Sequence, residues 1–299
     1  MGFGASITRP RWILKASVAV QNAIHVEPEP VQLADDVMEA ANVLLNTLAN
    51  VLEQPGFSVT ILESVPSHRG LGAKSSLLCG ITAATVAVVG APMGWPAYRS
   101  LTRRGGTSGI GINTSVHGGA ILDSGHLELG SNKHIGPSSL RAGSPIPNVV
   151  ARWELRKWPF LLVFPPESSE LYGRREIALF RSSSPVSLSE TRELAADVLY
   201  RLLPALTAGD HTRTHEALEY MQHLALKLRE WDAQPKSARD FRDTLRNAGA
   251  ECVALSSMGP AMAVFGRDLT AMLKALPSAW RSRTTVSSFR NTGVARLGV

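Results

Sequence analysis

A strand-like stretch, a short loop with two glycines and a long apolar segment follow one another over residues 57–90, and this succession constrains the fold most. Residues 57–65 alternate as a β-strand does, whereas residues 74–89 form an apolar run of helical length. The loop between them reads PSHRGLGAKSS, residues 66–76. A buried helix that starts at such a loop presents free amides and a positive dipole end to an anion. The sequence therefore predicts an anion-binding helix N terminus.

The side chains around this loop fit the same interpretation. Gly70 and Gly72 allow the backbone to approach a ligand closely, Lys74 adds positive charge, and Ser75 and Ser76 supply hydroxyl donors. The P-loop pattern G-x-x-x-x-G-K-[ST] is absent from the segment, and the dinucleotide fingerprint is incomplete because its third glycine is replaced by Ser75. We predict that these five residues bind one anionic part of a ligand. A tight strand-to-helix turn without a ligand is the alternative.

A second glycine-rich segment reads RRGGTSGIGI, residues 103–112. Guanidinium groups beside exposed backbone amides form a site suited to a phosphate or a pyrophosphate. A flexible surface loop is the alternative, but such a loop has no need of the two hydroxyl residues. The predicted ligand-binding residues of this segment are Arg104, Gly105, Gly106, Thr107, Ser108 and Gly109.

A third turn, SSMGPA at residues 256–261, joins two apolar strand-like segments. Ser257 and Gly259 are its candidate ligand-binding residues. Taken alone the turn is a weak signal, and an ordinary hairpin turn explains it equally well.

Charge and composition limit the classes of partner. The chain has a net charge of +6 and a pI near 9.6, which favours anionic partners. Its arginines are scattered without interleaved aromatic residues, so we expect no nucleic-acid binding. No signal peptide is evident and the longest apolar run is too short to span a bilayer, so we expect a cytoplasmic protein without a membrane partner. Cys79 and Cys252 are predicted to be buried thiols, with a single bridge as the alternative.

Helical and strand-like segments in both halves predict an α+β protein. Residues 131–150 are rich in Gly, Pro and Ser, which predicts a domain boundary and gives domains at 1–150 and 151–299. In the second half we expect helices and an antiparallel sheet. The helices are predicted at 190–203, 215–229, 240–248 and 268–275, and the strands at 158–166, 252–266 and 283–288.

Together the three turns resemble the GHMP kinase superfamily. Its phosphate loop has the form P-x-x-x-G-L-G-S-S, matched at Pro66–Ser76, and its Ser/Gly-rich G-P turn is matched at Ser256–Pro260. RGGTSGIG followed by HGGAILDSGH resembles a non-kinase branch, the β-ribofuranosylaminobenzene 5'-phosphate synthase family. The segments GFGASITRP, GRREIALF (173–180) and FRNTG (289–293) also fit, so the resemblance covers nearly the whole chain.

The resemblance implies a GHMP kinase-like two-domain α+β fold with the ligand cleft between the domains. The N-terminal domain would be ribosomal S5 domain 2-like and the C-terminal domain ferredoxin-like. It implies a decarboxylating C-glycosyltransferase, which joins the ribose 5-phosphate of phosphoribosyl pyrophosphate (PRPP) to an aromatic carboxylic acid and releases CO₂ and pyrophosphate. Mg²⁺ is the implied cofactor and a homodimer the implied assembly. Similar enzymes make C-nucleoside antibiotics from heteroaromatic carboxylates.

This reaction needs a group that steers charge at the reacting sugar carbon. We predict Asp123, His117 and Lys74 as catalytic residues, with His126 as a substrate-binding residue nearby in sequence. If the segment were a strand, His117 and Asp123 would share one face and His126 would not. A strand-end aspartate with ordinary polar histidines is the alternative, and the metal ligands are not predicted.

Two departures separate the chain from the family pattern. Where the synthases read G-L-G-S-G-T-Q, this chain reads GLGAKSS, and the extra cation favours a more anionic acceptor, such as a dicarboxylate, and a C-nucleoside product. Synthesis of a pterin-type C1 cofactor is the alternative pathway. Family members also have a strand region before the segment that matches GFGASI. We expect either that this region is dispensable here or that the start is misassigned.

Two patterns have simpler explanations than function. Asp35 and Asp36 resemble the acidic pair of ordinary phosphoribosyltransferases, but they open an amphipathic helix, so we interpret them as N-terminal charge placement. His211 and His215 stand four residues apart without a third ligand, so we expect a solvated helix face. The competing functions are an ATP-dependent GHMP small-molecule kinase and a non-catalytic phosphosugar-binding protein.

Overall fold

The computed structural model describes residues 1–27, 33–126, 145–165 and 174–295, and it is an α+β structure as the sequence predicts. The strands are β1 (Phe3–Ala5), β2 (Ile13–Val18), β3 (Ala23–Val26), β4 (Phe57–Glu63), β5 (Ala120–Asp123), β6 (Val149–Trp153), β7 (Pro159–Val163), β8 (Cys252–Leu255), β9 (Met262–Phe265) and β10 (Thr284–Ser288).

Helices lie between some of these strands, and several helices follow one another along the chain. They are α1 (Asp35–Val51), α2 (Ala73–Val89), α3 (Trp95–Thr102), α4 (Ile110–His117), α5 (Arg174–Ser183), α6 (Leu188–Asp197), α7 (Leu203–Ala208), α8 (His211–Met221), α9 (Ala225–Asp232), α10 (Lys236–Asn247), α11 (Leu269–Ala275) and α12 (Ser278–Arg281). A π-helical stretch, Val198–Leu202, joins α6 to α7.

The first hydrophobic core lies between the sheet β2-β4-β3 and the helices α1 and α2. The central strand β4 is antiparallel to β2 and parallel to β3. Phe57, Val59 and Ile61 alternate along β4 and are buried, and Leu45 of α1 and Leu77 of α2 belong to the same core. Because α2 contacts β2, α1, α3 and α4, its sequence is apolar on all sides. This packing fixes the position of its N terminus.

Two further sheets complete the fold. The antiparallel sheet β10-β7-β9-β8 carries a second core, in which Leu161 and Val264 pack with Phe241 of α10. The sheet β1-β5-β6 joins the start of the chain to β6, which crosses the predicted boundary at residue 150. Most of the predicted linker lies outside the described residues, so the division into domains at 150 stays a prediction.

The last described segment returns to the first half of the chain. The Arg290 N–H donates to the Ser6 carbonyl at 2.9 Å, and the Val294 N–H donates to the Ser115 carbonyl at 2.7 Å. A β-carbon on Gly293 would collide with the Val116 carbonyl, so only glycine fits this approach. The motif FRNTG thereby ties the C-terminal sheet to α4, which follows the second glycine-rich loop.

The expected strand character around His117 is wrong. His117 is the last residue of α4, and β5 begins only after two further residues, so His117 and Asp123 share no strand face. The alternating β-branched residues of IGINTSV resemble a strand. In the structure Ile112 and Val116, four residues apart, are buried together in one core cluster, and this packing favours a helix.

The expected solvated face of His211 and His215 is also wrong. His215 is buried, and its Nδ1 lies 2.6 Å from a Glu251 carboxylate oxygen. His211 stacks on Trp158 with ring centroids 4.0 Å apart. The single helix expected over 215–229 is instead two helices, α8 and α9, which are separated near Ala225 with its positive φ of 48°.

Two other expectations, the buried helix after the first loop and the buried thiols, are confirmed. The apolar segment after the first loop is the buried helix α2, and Cys79 and Cys252 are free and buried. Burial raises the pKa of the Cys79 thiol to about 12, although the hydrogen bond with Ser115 lowers it, so this thiol stays protonated near neutral pH. Within the described residues, no helix has both the length and the apolar character needed to cross a bilayer.

We expect Leu45→Ala to lower the free energy of unfolding by about 2–5 kcal/mol, because it leaves a cavity in the first core. Leu45 is 0% exposed, whereas Val43 on the same helix is 53% exposed. Val43→Ala is therefore the control, with an expected change below about 0.5 kcal/mol. Urea unfolding followed by circular dichroism measures both, and equal midpoints for the two variants would contradict this packing.

His215 should make stability depend on pH. Burial lowers its pKa below the ordinary value, although the contact with Glu251 raises it. The unfolded chain then binds a proton at higher pH than the folded protein, so stability is lost as the pH falls below about 6.5. We expect the urea midpoint to fall between about pH 7 and about pH 5, and to fall less in His215→Gln. Parallel pH profiles of the two proteins would show that His215 does not contribute.

Candidate active site

The N terminus of α2 lies at the end of the first glycine loop. Gly72 precedes the helix with a φ of 64°, in the left-handed region that glycine adopts readily. Because Gly72 has no side chain, it cannot cap the first amides of α2. These amides and the helix dipole therefore present partial positive charge to a ligand.

The second glycine-rich loop reaches the same place. The Arg104 Nε donates to Ser75 Oγ at 3.3 Å, and Ser75 lies in the first turn of α2. Burial lowers the pKa of Arg104, while the charges of Glu176 and Asp36 raise it. We name this region the α2 corner, made of residues 72–76 and Arg104. The two predicted anion-binding loops thus contribute to one shared corner.

An ion-pair network borders the α2 corner. The Lys74 Nζ donates to one carboxylate oxygen of Asp36 at 3.0 Å, and the His68 Nε2 lies 3.0 Å from the other. Desolvation would raise the pKa of Asp36, but hydrogen bonds and charges from Lys74 and His68 hold it below its ordinary value. Asp36 is therefore ionised at neutral pH, and its charge offsets that of Lys74.

The carboxylate of Asp123 holds the backbone of the second glycine-rich loop through hydrogen bonds. Asp123 is 1% exposed and accepts the N–H groups of Gly109 at 2.9 Å, Gly2 at 2.6 Å and Gly125 at 3.0 Å. The Ile110 N–H donates to the Ser108 hydroxyl at 3.3 Å. These contacts occupy amides at the start of α4, in contrast to the uncapped start of α2. Asp123 thus holds the loop backbone in place.

The C-terminal turn is clasped onto the first glycine loop. The Ser256 Oγ donates to the Gly70 carbonyl at 3.0 Å, and the Ala261 N–H donates to the Arg69 carbonyl at 3.3 Å. A β-carbon on Gly70 would collide with the Ser256 carbonyl oxygen. The phosphate-loop motif and the SSMGPA motif therefore meet at one interface.

Lys227 holds this turn from the other side. Its Nζ donates to the carbonyls of Leu255 at 3.1 Å and Ser257 at 2.6 Å, and to a Glu230 carboxylate oxygen at 2.5 Å. The Gln234 amide also donates to the Met258 carbonyl at 3.1 Å. These contacts fix a turn in which Ser257 has a φ of 50°.

A cleft of about 2760 Å³ opens between the loops and this turn, and most predicted site residues line it. These are Gly70, Gly72, Lys74, Ser75, Ser76, Arg104, Gly105, Thr107, Ser108, His126, Ser257 and Gly259. Within the described part of the chain, Gly106, Gly109, Asp123 and His117 are not among the lining residues. The predicted binding and catalytic roles of all these residues stay predictions.

His117 is not among the described residues that line the cleft, and it lies beside Arg152. The Arg152 Nε donates to the His117 carbonyl at 3.2 Å. Burial lowers the pKa of His117, and the charges of Arg152 and Arg99 lower it further. The predicted catalytic role of His117 stays a prediction.

Several residues of the cleft have no predicted binding role in the sequence. Asp36 is interpreted there as helix charge placement alone, and no role is predicted for His68, Lys227 or Glu176. Three of the four lie in sequence motifs: Asp36 in ADDVMEA, His68 in PSHRGLGAKSS and Glu176 in GRREIALF. Lys227 reaches the cleft through tertiary contacts that no local motif encodes.

We expect Gly70→Ala to destabilise the protein and to weaken ligand binding, because the added methyl group collides with the Ser256 carbonyl. Gly90 is the matched control, since it also has a positive φ but no atom within 4 Å of an added β-carbon. Gly90→Ala should cost only about 1–2 kcal/mol from the backbone conformation. Urea midpoints of the two variants test this, and equal losses would show that the Gly70–Ser256 contact is unimportant.

The chain is similar in sequence to enzymes that share one name. It is 28% identical over 267 residues to the β-ribofuranosylphenol 5'-phosphate synthase of Methanothermobacter thermautotrophicus, covering 87% of this chain and 80% of that protein. It is 29% identical over 245 residues to the synthase of the same name from Archaeoglobus fulgidus, covering 80% and 76%. No protein-family profile matches the chain.

Solved structures share the fold at low sequence identity. Leishmania major mevalonate kinase matches with a TM-score of 0.67 and 14% identity, over 95% of this chain and 87% of that one. Mevalonate diphosphate decarboxylase from Staphylococcus aureus matches with a TM-score of 0.65 and 15% identity, over 98% and 88%. These relatives and neighbours confirm that the chain resembles the β-ribofuranosylaminobenzene 5'-phosphate synthases and has the α+β fold of the GHMP kinase superfamily.

Proposed function

We propose that this protein is a decarboxylating C-glycosyltransferase. It would join the ribose 5-phosphate of PRPP to an aromatic or heteroaromatic carboxylic acid and release CO₂ and pyrophosphate. The similarity to β-ribofuranosylphenol 5'-phosphate synthases supports the reaction class. The single observation that carries the proposal is the contact between Arg104 and Ser75, which brings two distant anion-binding loops to one corner.

The pyrophosphate of PRPP is the ligand that best fits the α2 corner. The uncapped amides of α2 and the side chains of Lys74 and Arg104 surround the same space. Amides at the start of α4 are occupied by Asp123 and Ser108, so that helix offers fewer free donors. Pyrophosphate carries more charge than a carboxylate, and convergent N–H donors favour it most.

The aromatic acid would bind on the apolar side of the corner. Trp12 lines the cleft, and its indole N–H donates to Ser76 Oγ and to the Ala73 carbonyl, both at 3.1 Å. These bonds fix the indole beside the first turn of α2. A flat acceptor ring packed on Trp12 would lie next to the departing pyrophosphate, and this proximity lowers the barrier.

The proposed reaction needs neither an oxidant nor a reductant. The bond between the anomeric carbon and oxygen breaks, and its electron pair leaves with pyrophosphate. The ring carbon that carries the carboxylate forms the new bond to the anomeric carbon. The bond to the carboxyl carbon then breaks, and its electron pair restores the aromatic ring as CO₂ leaves. Lys74, Arg104 and the α2 amides would stabilise the charge that develops on pyrophosphate.

Asp123 has a different role in this proposal from the catalytic one predicted from sequence. Its carboxylate is buried and accepts three backbone N–H groups. It therefore acts as a positioning residue, which holds the loop that carries Arg104.

We propose that Mg²⁺ binds together with the substrate. Among the described residues, no group of three His, Cys, Asp or Glu side chains is arranged to hold a metal ion. Asp36 and Glu176 line the cleft, but each lies close to cationic side chains. Mg²⁺ usually keeps several waters and binds through substrate phosphates, where it would help to neutralise the pyrophosphate.

The acceptor, the product class, the cellular location and the oligomeric state are also proposals. In the sequence, the extra lysine of the GLGAKSS loop favours a more anionic acceptor and a C-nucleoside product. Asp36 offsets the charge of this lysine, so this charge no longer distinguishes between acceptors. The proposed acceptor is an aromatic or heteroaromatic acid, and a C-nucleoside is proposed as the product class from the resemblance alone. A cytoplasmic homodimer is the proposed state, which size-exclusion chromatography with light scattering would test.

Incubation with PRPP, Mg²⁺ and a panel of aromatic acids tests the reaction. We expect pyrophosphate and CO₂ in equal amounts, formed only when an acid such as 4-hydroxybenzoate or 4-aminobenzoate is present. ATP in place of PRPP should yield no ADP. ADP formation without use of PRPP would support the kinase alternative, and PRPP binding without turnover on any acid would support a binding protein.

Arginine variants test the corner itself. Arg104→Gln should lower kcat/KM by about 100-fold or more, because it removes a donor aimed at the leaving group. Arg103 is exposed and does not line the cleft among the described residues, so Arg103→Gln is the control with near-normal activity. Similar losses in the two variants would contradict the proposed site.

A further inference from the structure

Two carboxylates, those of Asp36 and Glu176, lie among the basic side chains at the α2 corner. Asp36 contacts Lys74 and His68, and its charge is also felt by Arg104. Glu176, which comes from α5 in the second half of the chain, lines the cleft and interacts electrostatically with Arg104 and His68. A corner built only to hold an anion tightly has no need of acidic neighbours.

The geometry of Asp36 makes it more than a helix-dipole residue. Each of its two carboxylate oxygens is 3.0 Å from a different side chain of the first glycine loop or of α2. Its side chain is 49% exposed and lines the cleft beside Lys74, so the carboxylate lies near any anion that binds Lys74. Asp35, its neighbour in the same helical turn, also lines the cleft, but it has no hydrogen bond to Lys74 among the described residues.

The donors of the α2 corner have opposite effects on two steps, the departure of pyrophosphate from the sugar and its release from the protein. Fixed donors at the α2 corner stabilise pyrophosphate as it leaves the sugar. The same donors would retain free pyrophosphate and slow its release unless a negative charge weakened their hold. A carboxylate that pairs with Lys74 repels the bound anion while it keeps the ammonium in place.

We propose that Asp36 is a charge-compensating and positioning residue that limits the affinity of the α2 corner for pyrophosphate. The inference rests on the proposed function for the identity of the anion. It assigns to Asp36 a role in product release that neither its place in the helix nor the resemblance implies. Glu176, which also lines the cleft, acts in the same direction through its interaction with Arg104.

Calorimetric titration with inorganic pyrophosphate in the presence of Mg²⁺ measures this affinity without turnover. Asp36→Asn keeps the size of the side chain and should lower the Kd about three- to tenfold. Asp35→Asn removes the same charge from the same helical turn and should leave the Kd within about twofold of the wild type. Glu176→Gln should lower the Kd as Asp36→Asn does.

A double variant separates charge compensation from loss of structure. Asp36→Asn combined with Lys74→Met has the same net charge at the α2 corner as the wild type. The Kd of this double variant for pyrophosphate should therefore rise from the value of Asp36→Asn toward that of the wild type. Equal Kd values for Asp36→Asn and Asp35→Asn, weaker binding by Asp36→Asn, or tight binding that persists in the double variant would each overturn the inference.

The readout also distinguishes this inference from the proposed reaction. If the wild type converts no aromatic acid but Asp36→Asn still tightens pyrophosphate binding, the proposed reaction is wrong. The inference that Asp36 limits the affinity for pyrophosphate then still stands. If the reaction occurs and Asp36→Asn does not alter the Kd, the inference alone fails. A wild type that binds no pyrophosphate would overturn the inference directly.

Discussion

The contact between Gly70 and the Ser256 turn is the constraint on which the cleft depends. It brings a loop of the first half against a turn of the second half, with a hydrogen bond of 3.0 Å between residues 186 positions apart. Glycine is required because any side chain would occupy the space of the Ser256 carbonyl. The burial of α2 fixes the loop from one side, and Lys227 fixes the turn from the other. The open end of α2 therefore faces a space whose walls are held in place.

The electrostatics of this space combine attraction with compensation. An uncapped helix end and two basic side chains provide a favourable environment for a multiply charged anion. Asp36 and Glu176 reduce the net positive charge without removing the N–H donors. Such an arrangement suits a leaving group that must be stabilised in the transition state and then released, because catalysis requires stronger binding of the transition state than of the product.

Much of the fold could be predicted from the sequence. The pattern of apolar residues places β4 and α2, and the first glycine loop marks the start of α2. The segment around His117 was predicted less well, because its β-branched residues alternate as in a strand, whereas burial of Ile112 and Val116 in one cluster selects a helix. His215 was expected at a solvated face because its environment of Glu251 and Trp158 comes from distant segments.

The chemistry of the loops follows from the amino-acid sequence alone, since glycine, lysine, arginine and serine have properties that act locally. The family resemblance also follows from the sequence, and the related synthases confirm it. The contacts of Arg104 with Ser75 and of Asp36 with Lys74, and the enclosure of the Asp123 carboxylate by backbone amides, arise only in the folded chain. The first two contacts join residues 29 and 38 positions apart, and the amides of Gly2 and Gly109 lie 121 and 14 positions from Asp123. No sequence period encodes such distances, because they depend on how the helices and sheets pack.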